Sequence, residues 1–168
     1  MSDNGNLKIE DKILELLDGE LKERALGFAD YLNINRLKPQ QWFGPNFWRV
    51  PYKNKYLCGI VVEKNRWRFW FWKGDYIGIH EETYLKTIHD HVRSCISCGG
   101  DCPKGIDITV FGKNFKNTCF QFPVQFENPD NGTLGHIKKL MEYWKDVVPP
   151  DDAWHAHPWL QGSPRSGG

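Results

Sequence analysis

Four cysteines near the middle of the chain have the residue type and the spacing to hold a soft metal ion. They are Cys95, Cys98, Cys102 and Cys119, and two glycines follow the second of them. Two thiolates separated by two residues can bind one ion from a tight turn, and a following glycine permits the left-handed backbone that points amide groups at sulfur. Zinc takes four such ligands at about 2.3 Å from the ion. The pattern therefore predicts a structural zinc site formed by the four cysteines.

The same cysteines allow other interpretations, which the sequence leaves open. Cys95, Cys98 and Cys102 followed by Pro103 match the end of a ferredoxin-type run, so an iron–sulfur cluster is one alternative, although the leading cysteine of that run is missing. A redox-active pair of Cys95 and Cys98 is a second, but redox motifs with this spacing follow a strand, whereas this one is predicted to follow a helix. The thiols could also be unligated, with Cys119 packed in the core.

Two histidines could compete for the metal, and a fifth cysteine stands apart from it. His89 and His91 closely precede the cysteines. Because residues two apart on a helix face away from each other, at most one of them could replace Cys119 as a ligand. Cys58 lies in the middle of a predicted strand and is interpreted as a small buried hydrophobic residue.

The elements that must position the cysteines can be predicted from hydrophobic periodicity. Residues 7–18 and 20–34 have the apolar spacing of two N-terminal helices, broken near Gly19. Residues 81–94 return to helical spacing, and this central helix is expected to deliver the chain to Cys95.

Strands are predicted both before and after the central helix. Three β-rich runs joined by short turns indicate an antiparallel meander, and they cover residues 47–52, 56–62 and 66–72. After the cysteines, residues 106–111 and 115–122 predict a hairpin. If the turn of this hairpin is centred on Lys113, Asp107 pairs with Cys119. This pairing would bring Cys119 close in space to the other three cysteines.

The C-terminal part of the chain predicts one helix followed by a tail. Asn128 is the expected N-cap and Pro129 the first helical position, and the helix is expected to end before Pro149. Residues 149–168 lack periodicity and are predicted to form a disordered tail. Residues 1–148 are accordingly expected to form a single α+β domain. Its antiparallel sheet is packed by N-terminal, central and C-terminal helices, with a small cysteine-rich metal knuckle within residues 95–119.

A second candidate for function is a basic and aromatic part of the predicted sheet. From Arg36 to Lys73 there are nine basic residues and one acid, interleaved with aromatic side chains. Such a pattern suits single-stranded nucleic acid or another anionic ligand, and it equally fits an ordinary sheet with aromatic side chains in its core and Lys and Arg at its turns. The possible ligand surface comprises Trp48, Arg49, Trp67, Arg68, Trp70 and Trp72.

Composition narrows the classes of function and partner. The 168 residues carry a net charge of +1, which argues against nucleic acid and membrane surfaces as partners and leaves a small molecule or a protein. No apolar run approaches the length of a membrane span, and the N-terminus has no signal-peptide pattern, so we expect a cytoplasmic protein with reduced thiols. The sequence contains no GxSxG nucleophile motif, no phosphate-binding glycine-rich loop and no HExxH zinc-protease motif. We therefore expect a non-enzymatic binding domain.

The motifs also carry a family resemblance over about residues 28–144. The sequence has a tryptophan strand at Asn46-Phe-Trp48, the cysteine cluster followed by Pro103 and Gly105, a Gly112-Lys hairpin turn with the returning Cys119, and an Asn-Pro helix entry. In these features it resembles a family of small uncharacterised bacterial proteins with no assigned activity. The resemblance implies a cysteine cluster and no mechanism.

Overall fold

The computed structural model describes residues 7–53, 55–71, 82–96, 104–110, 112–119 and 122–147. This part of the chain is a mixture of helices and antiparallel sheet, as predicted. Its elements, in chain order, are α1 (Ile9–Leu16), α2 (Gly19–Ile34), β1 (Gln40–Gln41), β2 (Phe47–Tyr52), β3 (Lys55–Glu63), β4 (Arg66–Phe71), α3 (Glu82–His89), β5 (Ile106–Val110), β6 (Lys113–Thr118), β7 (Val124–Glu127) and α4 (Asn131–Val147). Within the same ranges, no helix is long and apolar enough to cross a membrane.

The main sheet has five strands in the order β1-β2-β3-β4-β7, with every neighbouring pair antiparallel. Strands β2, β3 and β4 confirm the predicted meander. Strands β1 and β7 have no counterpart in the sequence prediction, because two to four residues are too few to show an alternating pattern.

One face of this sheet packs against the helices and forms the core. A row of large apolar residues crosses β2, β3, β4 and β7 in register on that face: Trp48, Ile60, Phe69 and Phe126. From α2, the ring of Phe28 lies with its centroid 5.6 Å from that of Phe69. Cys58 is fully buried on the same face, as predicted, and burial raises the pKa of its thiol far above the ordinary range. That thiol therefore stays protonated and chemically inert.

The break between the two N-terminal helices lies where the sequence predicts it. Gly19 has a φ of +54°, a left-handed conformation that costs glycine little and other residues more. The C-terminal helix differs from its prediction at its start, because Asp130 and not Asn128 is the capping residue. The Thr133 backbone N–H donates to the Asp130 carboxylate at 2.7 Å. The Asn128 side chain instead accepts a hydrogen bond from the backbone of Trp67 at 2.9 Å, which ties the helix entry to β4.

The central helix is shorter than predicted, and the chain does not reach Cys95 as a helix. Helix α3 ends at His89. The segment that follows is extended and pairs with two different strands. Val92 bridges Val124 of β7, and Ser94 bridges Thr118 of β6. Residues 91–94 have the apolar spacing of a helix, but their backbone groups form hydrogen bonds with neighbouring strands instead. Strand pairing therefore ends the helix earlier than the spacing predicts.

Strands β5 and β6 form a separate two-stranded hairpin, with a register different from the predicted one. Val110 pairs with Lys113 at the turn and Ile106 pairs with Thr118 at the open end, so the predicted pairing of Asp107 with Cys119 is wrong. The difference arises at the turn, which lies between Val110 and Lys113 and is not centred on Lys113. An extra residue in β6 near Asn117, which has a φ of +52°, then shifts the pairing by one residue between Ile108 and Ile106.

Candidate functional site

Two of the four predicted metal ligands lie on adjacent extended segments at the open end of the hairpin. Cys95 follows Ser94 and Cys119 follows Thr118, the two residues that form the bridge between the segments. The Cys95 N–H donates to the carbonyl of Asn117 at 2.7 Å, and the Cys119 N–H donates to the carbonyl of Arg93 at 2.8 Å. Backbone hydrogen bonds on both sides of the bridge therefore fix the position of both cysteines.

The pairing places the two cysteines at diagonal positions across the segments. Diagonal neighbours in an antiparallel pair have Cα atoms about 7–8 Å apart. A disulfide generally requires Cα atoms within about 6.8 Å of each other, and both cysteines are free thiols here. Two thiolates on a common metal ion need not bond to one another, so the same separation suits shared ligation better than a disulfide.

A third segment packs directly on Cys95. A Cβ placed on Gly105 would lie 2.6 Å from the Cβ of Cys95 and would overlap the side chain of Asn117. This contact brings the backbone just before β5 against the two paired segments. Sequence reasoning did not identify Gly105 or Asn117 as part of the site. The signal available in the sequence was a glycine two residues after Pro103, which is typical of a close approach between backbone segments.

The remaining two cysteines, Cys98 and Cys102, lie outside the described residues. Each is three residues from a described residue of the site, Cys98 from Cys95 and Cys102 from Gly105. Three residues of extended chain span at most about 10 Å.

A four-cysteine site is not itself visible in the described part of the structure. Among the residues it covers, no group of three or more His, Cys, Asp or Glu side chains is placed to hold a metal ion. Only two of the four predicted ligands belong to that part, so the zinc site stays a prediction that the geometry at Cys95 and Cys119 supports.

The histidines considered as alternative ligands make other contacts. The ring of His89 hydrogen-bonds to the carbonyl of Val110 at 2.8 Å, at the turn end of the hairpin and away from Cys119. The ring of His91 donates to the carbonyl of Thr87 at 2.7 Å and stacks on Phe126 of the main sheet with centroids 4.3 Å apart. Of the residues proposed as the fourth ligand, Cys119 is the one that strand pairing places diagonally across from Cys95.

Three of the four tryptophans of the predicted ligand surface are described by the structure, and other parts of the protein cover all three. Trp48 and Trp67 point into the core, and Trp70 lies on the opposite face of the sheet, yet each of the three is no more than 1% exposed. A Cβ on Gly59 would overlap the indole of Trp70, so this ring lies flat across β3. Trp72 lies outside the described residues. Stacking of a base requires an exposed ring face, which these three residues do not provide.

The two arginines of that surface have partners within the sheet. The guanidinium carbon of Arg49 lies 4.5 Å above the centroid of the Tyr56 ring. Arg68 donates to the carboxylate of Glu63 at 2.9 Å. The cation–π contact of Arg49 and the ion pair of Arg68 favour a structural role for both side chains.

Comparisons of the chain with protein-family models, with curated proteins and with solved structures found no match. The resemblance to small bacterial proteins with a cysteine cluster therefore stays a prediction.

Proposed function

We propose that this protein is a non-enzymatic binding domain whose fold is stabilised by one zinc ion, held by Cys95, Cys98, Cys102 and Cys119. One observation carries the proposal: the bridge between Ser94 and its partner strand brings the first and last cysteines of the motif onto adjacent segments. Closed four-thiolate coordination is the usual form of a structural zinc site, and it leaves no open position for substrate.

The position of the site indicates what the metal would do. The segment of residues 91–95 pairs with β7 of the main sheet and with β6 of the hairpin, so it joins the two sheets. A metal ion at its end would fasten the open end of the hairpin to this segment and close the chain between Cys95 and Gly105 into a loop. Metal binding would then contribute directly to folding stability. A reducing compartment such as the cytoplasm would keep the four thiols available.

An iron–sulfur cluster or a thiol redox pair remains the alternative that uses the same residues. The redox pair predicted from the sequence is Cys95 with Cys98, and Cys98 lies outside the described residues. Cys95 follows an extended, strand-paired segment and not a helix, so the sequence argument against a redox motif does not hold. A cluster on the same four thiolates is distinguished from zinc by its colour and its iron and sulfide content.

Binding of nucleic acid through the basic aromatic sheet is less well supported. The three described tryptophans that would stack on bases, Trp48, Trp67 and Trp70, are covered, and Arg68 is paired with Glu63. If this surface did bind single strands, affinity would fall steeply with salt.

The first test is elemental analysis of the purified untagged chain, combined with an absorption spectrum and a thiol titration before and after chelation. We expect one zinc per chain, no visible absorbance, and four thiols that become reactive when a chelator removes the metal. The fifth thiol, Cys58, should react only after denaturation because it is buried in the core. Metal-free protein with reactive thiols would refute the proposal, and bound iron with sulfide would establish the alternative.

Substitutions separate metal loss from loss of fold. Cys98→Ala and Cys119→Ala are expected to lower zinc content and thermal stability together. Cys58→Ala is the matched control, because it also removes a cysteine and creates a small cavity in the core but touches no predicted ligand. It should lower stability and keep one zinc per chain. Equal zinc loss in all three variants would mean that the metal responds only to unfolding.

A further inference from the structure

The loop between β1 and β2 holds an exposed aromatic ring in a fixed position. Phe43 is 51% exposed, and its ring stacks on that of Phe47 with centroids 4.5 Å apart, while Trp42 contacts it edge-on at the same separation. The Trp42 N–H donates to the Phe47 carbonyl at 2.9 Å and closes the loop. Because Phe47 alternates with the buried Trp48 along β2, the stack lies on the face of the main sheet turned away from the helices. An exposed ring that is already fixed loses little conformational freedom on binding, so it suits as an anchor for another aromatic group.

The chain around this loop is basic and contains no acid. Residues 36–62 have five Lys and Arg residues and no Asp or Glu. The structure describes the side chains of four of these cations, and none of the four forms an ion pair with another described residue: Arg36, Lys38, Arg49 and Lys53. Positive charge that the described part leaves uncompensated favours an acidic partner at this edge of the sheet.

The last helix delivers the C-terminal part of the chain to the same edge. Near the end of α4, the Lys145 ammonium donates to the Asn35 side chain at 3.4 Å and lies 6.0 Å from the centroid of the Tyr52 ring. Asn35 precedes β1, and Tyr52 is the last residue of β2. Residues 149–154, which lie outside the described part of the structure, read Pro-Pro-Asp-Asp-Ala-Trp. The segment that follows α4 therefore carries two acids and then an aromatic residue.

The order and the length of this segment match the features of β2. From Tyr52 back along the strand, Arg49 comes first and Phe47, on the same face, comes two positions later. Strand β2 is about 17 Å long between Tyr52 and Phe47. The residues from Val148 to Trp154 span up to about 23–25 Å when extended, which is enough to bring Trp154 to the Phe47 end of the strand.

We propose that residues 149–154 of this chain dock on the outer face of its own main sheet, beside the β1–β2 loop. The Trp154 indole stacks on the exposed ring of Phe43, and the two acids lie toward Arg49. Because the segment is tethered to α4, its effective concentration is on the order of millimolar, so a contact of modest strength suffices. No cysteine takes part, so the proposal stands or falls independently of the zinc site.

The test uses the full chain, isolated with whatever metal it carries, with fluorinated tryptophan in place of tryptophan. Loss of one fluorine signal in Trp154→Phe identifies the signal of Trp154. We expect this signal to differ from that of a free peptide of residues 149–154, because the indole is packed on a ring. Phe43→Ala should lower the docked population by about threefold or more and move the signal toward that of the peptide.

Leu14→Ala is the matched control, because it also removes an exposed apolar side chain, 59% exposed, but from α1. It should leave the Trp154 signal unchanged. Equal changes in Phe43→Ala and Leu14→Ala, or a wild-type signal that coincides with that of the free peptide, would overturn the proposal.

Charge and concentration provide a second test that leaves the aromatic stack intact. Asp151→Asn combined with Asp152→Asn should release part of the Trp154 population, and so should salt at about 0.5 M, because exposed charges are screened. Asp11→Asn combined with Asp30→Asn changes the net charge equally on exposed positions of α1 and α2 and should have no effect. The wild-type signal should not vary with protein concentration, since the contact is intramolecular. Equal effects of the two double variants would refute the role of the acids, and a concentration-dependent signal would mean that a second copy supplies the segment.

Discussion

Gly105 lies against Cys95 so closely that no other residue fits there without movement. A Cβ on Gly105 would be 2.6 Å from the Cβ of Cys95, a separation that real Cβ atoms do not adopt. The contact joins the start of β5 to the segment that enters the cysteine motif. It also makes the arrangement of the predicted metal ligands depend on a residue that is not a ligand.

Gly105→Ala is therefore expected to displace Cys95 and to weaken metal binding without removing a thiol. The expected loss of stability is about 1–3 kcal/mol, as for other overpacked sites. Zinc retention during a chelator titration, with urea unfolding, measures both effects. Retention equal to that of the wild type would mean that the cysteines are not held by this contact.

Gly135→Ala has the opposite expected effect and serves as the control for alanine introduced at glycine. A Cβ at Gly135 meets nothing within 4 Å in the interior of α4, so helix propensity alone should change. Stability should rise by up to about 1 kcal/mol, with zinc binding unchanged. A fall in the free energy of unfolding would show that α4 requires glycine at this position.

Metal removal is expected to loosen one part of the molecule and spare another. The amides of Cys95 and Cys119 are held by hydrogen bonds between segments that the metal would fasten together. Hydrogen exchange of peptides covering residues 91–96 and 112–119 should speed up after chelation, while β3 and β4 stay protected. Uniform exchange over all of these peptides would indicate global unfolding, and no change would place the metal elsewhere.

Gly59→Ala should disturb the face of the sheet that is turned away from the helices. The indole of Trp70 lies over Gly59, and a methyl group there would push it off β3. We expect a loss of about 1–3 kcal/mol and a change in tryptophan fluorescence. Gly44→Ala is the comparison variant, because a methyl group at this exposed position would contact no other atom. Its φ of +79° adds backbone strain, so any loss of stability in this variant comes from the backbone and not from crowding. A fluorescence spectrum unchanged by Gly59→Ala would contradict the placement of Trp70.

The helix cap at Asp130 predicts a specific dependence on pH. The hydrogen bond from the Thr133 amide lowers the pKa of the Asp130 carboxyl in the folded protein. A lowered folded-state pKa gives stability that is present above the unfolded value of about 3.9 and is lost as pH falls through the folded value.

Asp130→Ala should accordingly cost about 1 kcal/mol at pH 7, and the difference from wild type should shrink below about pH 4. Urea unfolding of both proteins across this range measures it. Asp130→Asn keeps a capping oxygen without a titrating group, so its stability relative to Asp130→Ala should not vary with pH. A constant difference between wild type and Asp130→Ala would mean that the charge plays no part in the cap.

The longer helices and strands could be predicted from the sequence, because their apolar residues recur at the spacing that places them on one buried face. The helices α1 and α2 and the strands β2 to β4 occur where apolar spacing indicates, and Cys58 is buried as its strand position suggests. The end of α3 could not be predicted, because residues 91–94 have helical spacing and are held extended by strands from distant parts of the chain. The start of α4 was predicted two residues too early for a local reason, since Asn128 followed by Pro129 matches a capping pattern while Asp130 makes the capping hydrogen bond.

What the sequence alone determined is the chemistry that is available: four thiols in a metal-binding spacing, an inert fifth thiol, and a set of amphipathic helices and strands. Tertiary structure decided which of these groups meet. The bridge of Ser94 with Thr118 brings Cys95 beside Cys119, and the hydrogen bond from the Tyr31 hydroxyl to the carbonyl of Lys138 joins α2 to α4. Neither contact follows from local spacing, because each depends on backbone pairing or packing between segments far apart in the chain. The tryptophans show the same limit, since the alternation of β4 places Trp67 and Trp70 on opposite faces and only the fold determines that both faces are covered.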